Sequence, residues 1–321
     1  MLSRVFVYLG RVQPKILNFV VENGSSECTS SKITLALIIG YGIVKYQRCE
    51  RIRKNTFFFN ITRLGGCLPP IARDLHVECI ESVINEAFAS AKLSLSDIDA
   101  VATSVKPGLA ISLQVGLDHG KRLSKQGQKP FIPIHHMEAH ALTARMIQKD
   151  VELPFLVALI SGCHSLIAVA HSVDKYSLLG TAMDVAPGET MDKLARRMQL
   201  RNRPELRNIS GGRAIELLVL SGGVACNGAV KKCVGMLCDE MEYRLVVPPP
   251  HLCTDNGVMI AWNGVERFQV GAGVIHNPEE IDAVAVESKA PLGEDCRQAV
   301  EKERISVNQK NRVRVEKALL K

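Results

Sequence analysis

The chain has 321 residues, 46% hydrophobic and 23% charged, a composition ordinary for a soluble globular protein. At roughly 100–200 residues per domain, that length predicts two domains and a sizeable buried core. Ten cysteines show neither a CxxC pair nor the spacing of a secreted disulfide scaffold, and the net charge of +7 with a pI near 8.9 allows a polyanionic partner such as RNA without demonstrating one.

Free thiols in a reducing compartment are the expectation from the cysteines, and the sequons at Asn23, Asn60 and Asn208 are then chance matches. The first twenty-one residues carry Arg4, Arg11 and Lys15 and no Asp or Glu. They read equally as a mitochondrial presequence, over 1–30, and as an ordinary basic amino terminus. Ile33 to Val44 is the longest apolar run, but it includes Gly40 and Gly42 and falls short of the ~20 residues needed to span a bilayer. A buried strand or a poorly ordered segment fits it better than an anchor.

From Pro69 to Lys92, Leu75, Cys79, Ile80, Val83, Ile84, Ala87 and Phe88 recur at three and four, which predicts an amphipathic helix opened by a proline pair. A capped turn at Ser94 leads into a strand over 100–105. Lys106-Pro107-Gly108 ends that strand, and a helix over 110–125 follows. Phe131-Ile-Pro-Ile134 predicts a short strand. Phe155–Ile160, the turn 161–164 and Leu166–Ser172 read as a β-hairpin. Pro187–Met198 reads as a helix. Ile215–Leu220 followed by Ser221-Gly-Gly-Val-Ala-Cys-Asn227 reads as strand, glycine turn and helix, either a phosphate or ribose approach or a plain tight loop. Val246 to Pro250 is expected to end a further strand, His251–Gly257 to be a turn, and Val258–Phe268 to be helical. Past Pro278 the composition predicts a loosely packed charged tail. Strands alternating with helices predict an α/β domain with a mixed sheet. The expected organisation is a leader over 1–30, a first α/β lobe over 31–150, a second lobe over 151–275 shortened near 213–220, and a charged tail over 276–321.

The strongest chemical signal is His135-His-Met-Glu-Ala-His140. On a helix, His136 and His140 stand one turn apart on one face, as when a helix offers two nitrogens to one metal ion. A core-lining histidine pair is the competing reading, and a third ligand must come from elsewhere in the chain.

Five motifs in order carry a resemblance: HHMEAH at 135–140, Ile160-Ser-Gly-Cys-His164, Asp184-Val-Ala-Pro-Gly-Glu-Thr-Met-Asp192-Lys, Ser221-Gly-Gly-Val-Ala-Cys-Asn227 and Cys253-Thr-Asp255-Asn-Gly257. Over about Gly65 to Gly273 the chain resembles the TsaD/Kae family, the tRNA N6-adenosine threonylcarbamoyltransferases once labelled O-sialoglycoprotein endopeptidases. The likeness leans to the mitochondrial branch in HHMEAHALTAR, the triple proline before the Cys-Thr-Asp-Asn-Gly turn and Met259-Ile-Ala-Trp262. The resemblance implies an α/β ASKHA (actin/Hsp70-like) two-lobed fold. It also implies one divalent metal on His136, His140 and Asp255, with iron, zinc, manganese and magnesium all open. The implied reaction moves the threonylcarbamoyl group of threonylcarbamoyl-AMP to N6 of adenosine 37 in tRNA. Leu159, Ile160, Ser161, Gly162, Cys163, Asp192, Gly212 and Asn227 would meet the intermediate, and His164 would stand just behind them. Implied partners are tRNA, a threonylcarbamoyl-AMP synthase and a second copy in a homodimer, with no membrane span.

Three departures qualify that expectation. The family's amino-terminal phosphate turn has only a faint echo in Asn23-Gly-Ser-Ser-Glu-Cys-Thr. A long helical segment that the family carries between Gly212 and Ser221 is replaced here by residues 213–220. Cys163 stands where the family has glycine, and a Cβ is strained there by ~1 kcal/mol or more if the position needs positive φ. Three functions therefore compete: the transferase, a catalytically impaired truncated relative that binds tRNA or a partner, and a metal-dependent glycoprotease.

Overall fold

The computed structural model describes Val5–Val7, Thr34–Leu37 and residues 69–160, 165–182, 232, 234–236, 238, 239, 244–253 and 255–302. In chain order the elements are β1 (Val5–Val7), β2 (Thr34–Leu37), α1 (Pro69–Ala91), β3 (Ala100–Lys106), α2 (Ala110–Gly127), β4 (Phe131–His135) and α3 (His136–Ile147). There follow β5 (Phe155–Ile160), β6 (Ser165–Ala170), β7 (Tyr176–Thr181), α4 (Pro250–Cys253), α5 (Gly257–Val270), α6 (Pro278–Ala283), β8 (Glu294–Asp295) and α7 (Arg297–Lys302). Two compact units result, one made of Met1–Met146 with Asp255–Pro291 and the other of Ile147–Thr254 with Leu292–Lys321. Among the described residues no helix is long and apolar enough to cross a membrane.

In the first unit, β1 to β4 form a parallel sheet in sequence order. Burial of β3 along nearly its whole length accounts for its continuous small and β-branched run, since a parallel strand is covered on both faces. On one face Val101, Val105 and Phe131 pack with Ile80 and Ile84 of α1 and Val115, Leu117 and Leu123 of α2. Phe131 is wholly buried there, a contribution of roughly 1.5–3 kcal/mol. On the other face Ala100, Ala102, Ile132 and Ile134 pack with Ala139 of α3 and Met259, Ile260, Ala261 and Val265 of α5. Helix α2 approaches the sheet so closely that a Cβ at Gly120 would overlap the Thr103 hydroxyl. The strand Val5–Val7 falls within the stretch whose composition resembles a presequence, and it pairs with β2 over Val5↔Thr34 to Val7↔Ala36.

In the second unit, β5, β6 and β7 are antiparallel and β8 joins β7 in parallel. The hairpin register runs from Phe155↔Ala170 to Ile160↔Ser165, with Leu166, Ala168 and Ala170 alternating inward.

Three readings differ from the expectation. Residues 244–249 form no strand, because the proline run removes the N–H donors that a ladder needs; the chain goes straight into α4. Strand β7 was not anticipated, although Tyr176 and Leu178 alternate inward. The stretch past Pro278 is not loose over its described part. Asn277 caps α6, Ile281 and Leu292 are almost wholly buried, and Glu287 N–H donates to Val105 O at 3.0 Å. Lysines of β3 and α2 hold the segment down, with Lys121 Nζ donating to Val284 O at 2.5 Å and Lys106 Nζ pairing with Glu287 at 3.0 Å. The expected helix 187–198 and the strand and turn at 215–227 lie outside the described residues. Cys79, Cys238, Cys253 and Cys296 form no disulfide.

Candidate metal centre

Strand β4 hands over to α3 without a linker: His135 is the last strand residue and His136 the first of the helix. The His135 ring is taken up by local hydrogen bonds. Its Nδ1 accepts from Met137 N–H at 3.2 Å, so the proton sits on Nε2, which faces Ala290 O at 3.3 Å. Of the three histidines in the motif, His135 thus serves as a helix cap, and His136 and His140 remain.

Those two rings lie nearly perpendicular, centroids 4.8 Å apart. Both Nε2 atoms point at one carboxylate oxygen, Asp255 Oδ1, at 3.2 Å from His136 and 2.9 Å from His140. Asp255 is fixed by the next residue: the Asn256 side chain accepts from Met259 N–H at 3.0 Å and caps α5. Burial alone would raise the Asp255 carboxyl, but hydrogen bonds from His136 and His140 and their charge overcome it and hold the group far below the usual carboxylate range. The His–Asp separations of 3.2 and 2.9 Å are near the about 3.4 Å between neighbouring ligands around a tetrahedral ion with bonds near 2.1 Å, and all three ligand atoms lie within 4.8 Å of one another, a spread that must narrow for all three to reach one ion. The donor set of two imidazoles and one carboxylate suits a divalent cation with further positions open.

Behind this cluster α3 and α5 are joined by two ion pairs running in opposite senses. Glu138 of α3 takes Arg267 Nη2 at 2.6 Å. Arg145 of α3 donates through Nε to both oxygens of Glu266, at 3.0 and 2.9 Å, and Trp262 Nε1 donates to Glu266 at 2.6 Å. Burial raises both carboxyls against the pull of their arginines. The sequence signal for these pairs is an acid and a base seven apart on one helix, Glu138 and Arg145, facing the adjacent Glu266-Arg267 on another.

Leu159 and Ile160, expected at the intermediate, are the last two residues of β5 in the second unit. Ser161, Gly162, Cys163, His164, Asp192, Gly212 and Asn227 lie outside the described residues, so of the expected site residues the structure brings together His136, His140 and Asp255.

Burial pushes the imidazoles of His76 and His135 down to about 4, in His135 against an opposing hydrogen bond to Ala290. Folded values below the unfolded value of about 6.5 mean that their contribution is whole above that pH and is lost as pH falls toward 4, because the unfolded chain takes up the protons. At pH 5 the expected loss is roughly 2 kcal/mol per histidine. Urea unfolding at pH 7 and pH 5 checks this, and His76→Gln should remove about half of the difference.

A helix-borne histidine pair meeting a distant aspartate at the end of a parallel strand defines an α/β protein with a candidate metal site. The chain belongs to the tRNA N6-adenosine threonylcarbamoyltransferase family, TsaD, whose family model matches residues 52–217 and 213–262. With that membership comes the α/β fold of ASKHA type. The chain is 36% identical to the mitochondrial tRNA N6-adenosine threonylcarbamoyltransferase of Mus musculus, over 76% of this chain and 81% of the mouse protein, and 36% identical to that of Homo sapiens over 77% and 81%. A Methylocapsa acidiphila tRNA N6-adenosine threonylcarbamoyltransferase is 31% identical over 64% and 80%. The mouse alignment runs over 338 positions, yet 76% of 321 residues is about 244, so about 94 positions of the mouse protein face no residue here. The two stretches matched by the family model meet at 213–217.

Proposed function

We propose that the chain serves N6-threonylcarbamoyladenosine synthesis in mitochondrial tRNA, moving the threonylcarbamoyl group from threonylcarbamoyl-AMP to N6 of adenosine 37 with release of AMP. The observation that carries this reading is the convergence of His136, His140 and Asp255 on one point in a chain of this family. The three residues would hold one divalent ion, and that ion, when bound, supplies Lewis-acid polarisation of the intermediate's carbonyl. With an ion bound, His136 and His140 would turn their Nε2 atoms from Asp255 Oδ1 to the ion as lone-pair donors, and the Asp255 carboxylate would be the third ligand. Leu159 to Cys163, Asp192, Gly212 and Asn227 would grip phosphate, ribose and adenine, His164 would support that turn, and a threonylcarbamoyl-AMP synthase and a second copy of the chain complete the working system.

Two observations bear on the rival functions. Glu138, the one carboxylate between the two histidines, is paired with Arg267, which leaves no general base of the kind a His-Glu-x-x-His peptidase uses. The shortfall of about 94 positions supports a transferase of reduced activity. Incubation of the full chain with threonine, bicarbonate, ATP, the synthase and mitochondrial tRNA should yield the modified nucleoside on nucleoside mass spectrometry, and casein should stay intact. Casein cleavage that depends on His140, with no modified nucleoside, would overturn the assignment.

A further inference from the structure

The pairs Glu138–Arg267 and Arg145–Glu266 lie away from the metal cluster, and their geometry gives them work at it. At roughly 100° per residue, Glu138 and Arg145 fall on the face of α3 opposite His136 and His140. Each pair is short; Glu138 and Arg267 are 8% and 11% exposed, while the second pair is partly buried, Glu266 being 5% and Arg145 27% exposed. The two anchors stand two turns apart along α3 and end on adjacent residues of α5, the helix that Asp255 precedes. We infer that these reciprocal ion pairs set the roll angle of α3 against α5, making Glu138, Arg145, Glu266 and Arg267 positioning residues for the divalent ion.

The argument is one of leverage. An imidazole Nε2 stands about 6–7 Å from the helix axis, beyond the Cα radius of about 2.3 Å, so a roll of 10° moves it by about 1 Å. Metal bonds tolerate about 0.2 Å. Apolar contacts of Ala139 with α5 resist separation of the helices but do little against rolling, because small side chains present a smooth surface. Two directional, charge-assisted arginine–carboxylate pairs on the far face do resist it. The opposite polarity of the pairs also disfavours a register shift, which would set like charges together.

This inference rests on the metal reading, and titration with cobalt(II) alone, followed by visible absorption of the full chain, separates the two. The variants Arg145→Met with Glu266→Gln, and Glu138→Gln with Arg267→Met, remove each pair without leaving a buried charge unpartnered. Cobalt affinity is expected to fall about 10–100-fold, the range for residues supporting metal ligands, and the ligand-field bands to shift while helical circular dichroism persists. Leu123→Ala, across the sheet, should lower thermal stability yet change cobalt affinity by no more than about twofold. Arg145→Lys should retain more affinity than the neutral double variant. Cobalt affinity and bands unchanged in both double variants would overturn the inference alone, as would an equal loss in Leu123→Ala. Failure of the unaltered chain to take up cobalt would overturn the metal reading and this inference with it.

Discussion

Alanine at either His136 or His140 should abolish stoichiometric binding of one divalent ion. Both Nε2 atoms lie within 3.2 Å of the same Asp255 oxygen, so each variant removes one of three converging donors. Loss of a direct ligand should exceed the roughly 100-fold that marks the upper end for supporting residues. Asp255→Asn should have a comparable effect, since an amide oxygen without charge is a poor substitute for a carboxylate. Metal content of purified folded protein measures the result, with circular dichroism to verify that α3 is intact. Undiminished metal content in the double histidine variant would sink the assignment.

The second large effect concerns the shortened stretch. A chimera carrying a family-type insert between Glu216 and Leu217 should raise threonylcarbamoyl transfer far more than Cys163→Gly does. The expectation follows from the about 94 unmatched positions and from the meeting of the two matched stretches at 213–217. Transfer requires the intermediate to be held at phosphate, ribose and adenine together, and misplacement by about 1 Å can cost ~100-fold. A missing segment removes several grips, whereas Cys163 alters one turn. Rates for the unaltered chain, the point revertant and the chimera, at equal metal and synthase, decide it. Full activity in the Cys163→Gly variant alone would show the turn, and not the shortened stretch, to be the main lesion.

Much of the first unit was legible because its signals are local. The i, i+4 histidines, the proline pair opening α1 and the apolar run of β3 each declare an element within a few residues. Asp255 is different: it lies 115 positions from His140, and no periodicity links the two. Only the likeness of the Cys-Thr-Asp-Asn-Gly motif to a family brought it to the histidines. The segment after Pro278 misled because its hold on the fold is made of backbone hydrogen bonds and lysine tips on carbonyls, such as Glu287 N–H to Val105 O and Lys121 to Asp282 O. Charge that reads as solvated in sequence is here the means of attachment. The 244–249 stretch was misread in the other sense, its valines suggesting a strand that its prolines cannot complete.

The place of the three metal-binding candidates in the chain has a topological consequence. Helix α3 leads out of the first unit at Met146, and Asp255 is the residue at which the chain re-enters it. An ion shared by His140 and Asp255 is therefore a clasp at the neck of a long excursion, and everything between the two can change length without altering what the clasp sees. Closing a loop of about 115 residues instead of about 209, the length it would have were all the about 94 unmatched positions inside it, differs by only about 0.5 kcal/mol in chain entropy. On the proposed metal reading, trimming or extending the excursion would therefore leave the ion's hold little changed, and metal occupancy and transfer activity would be able to vary separately.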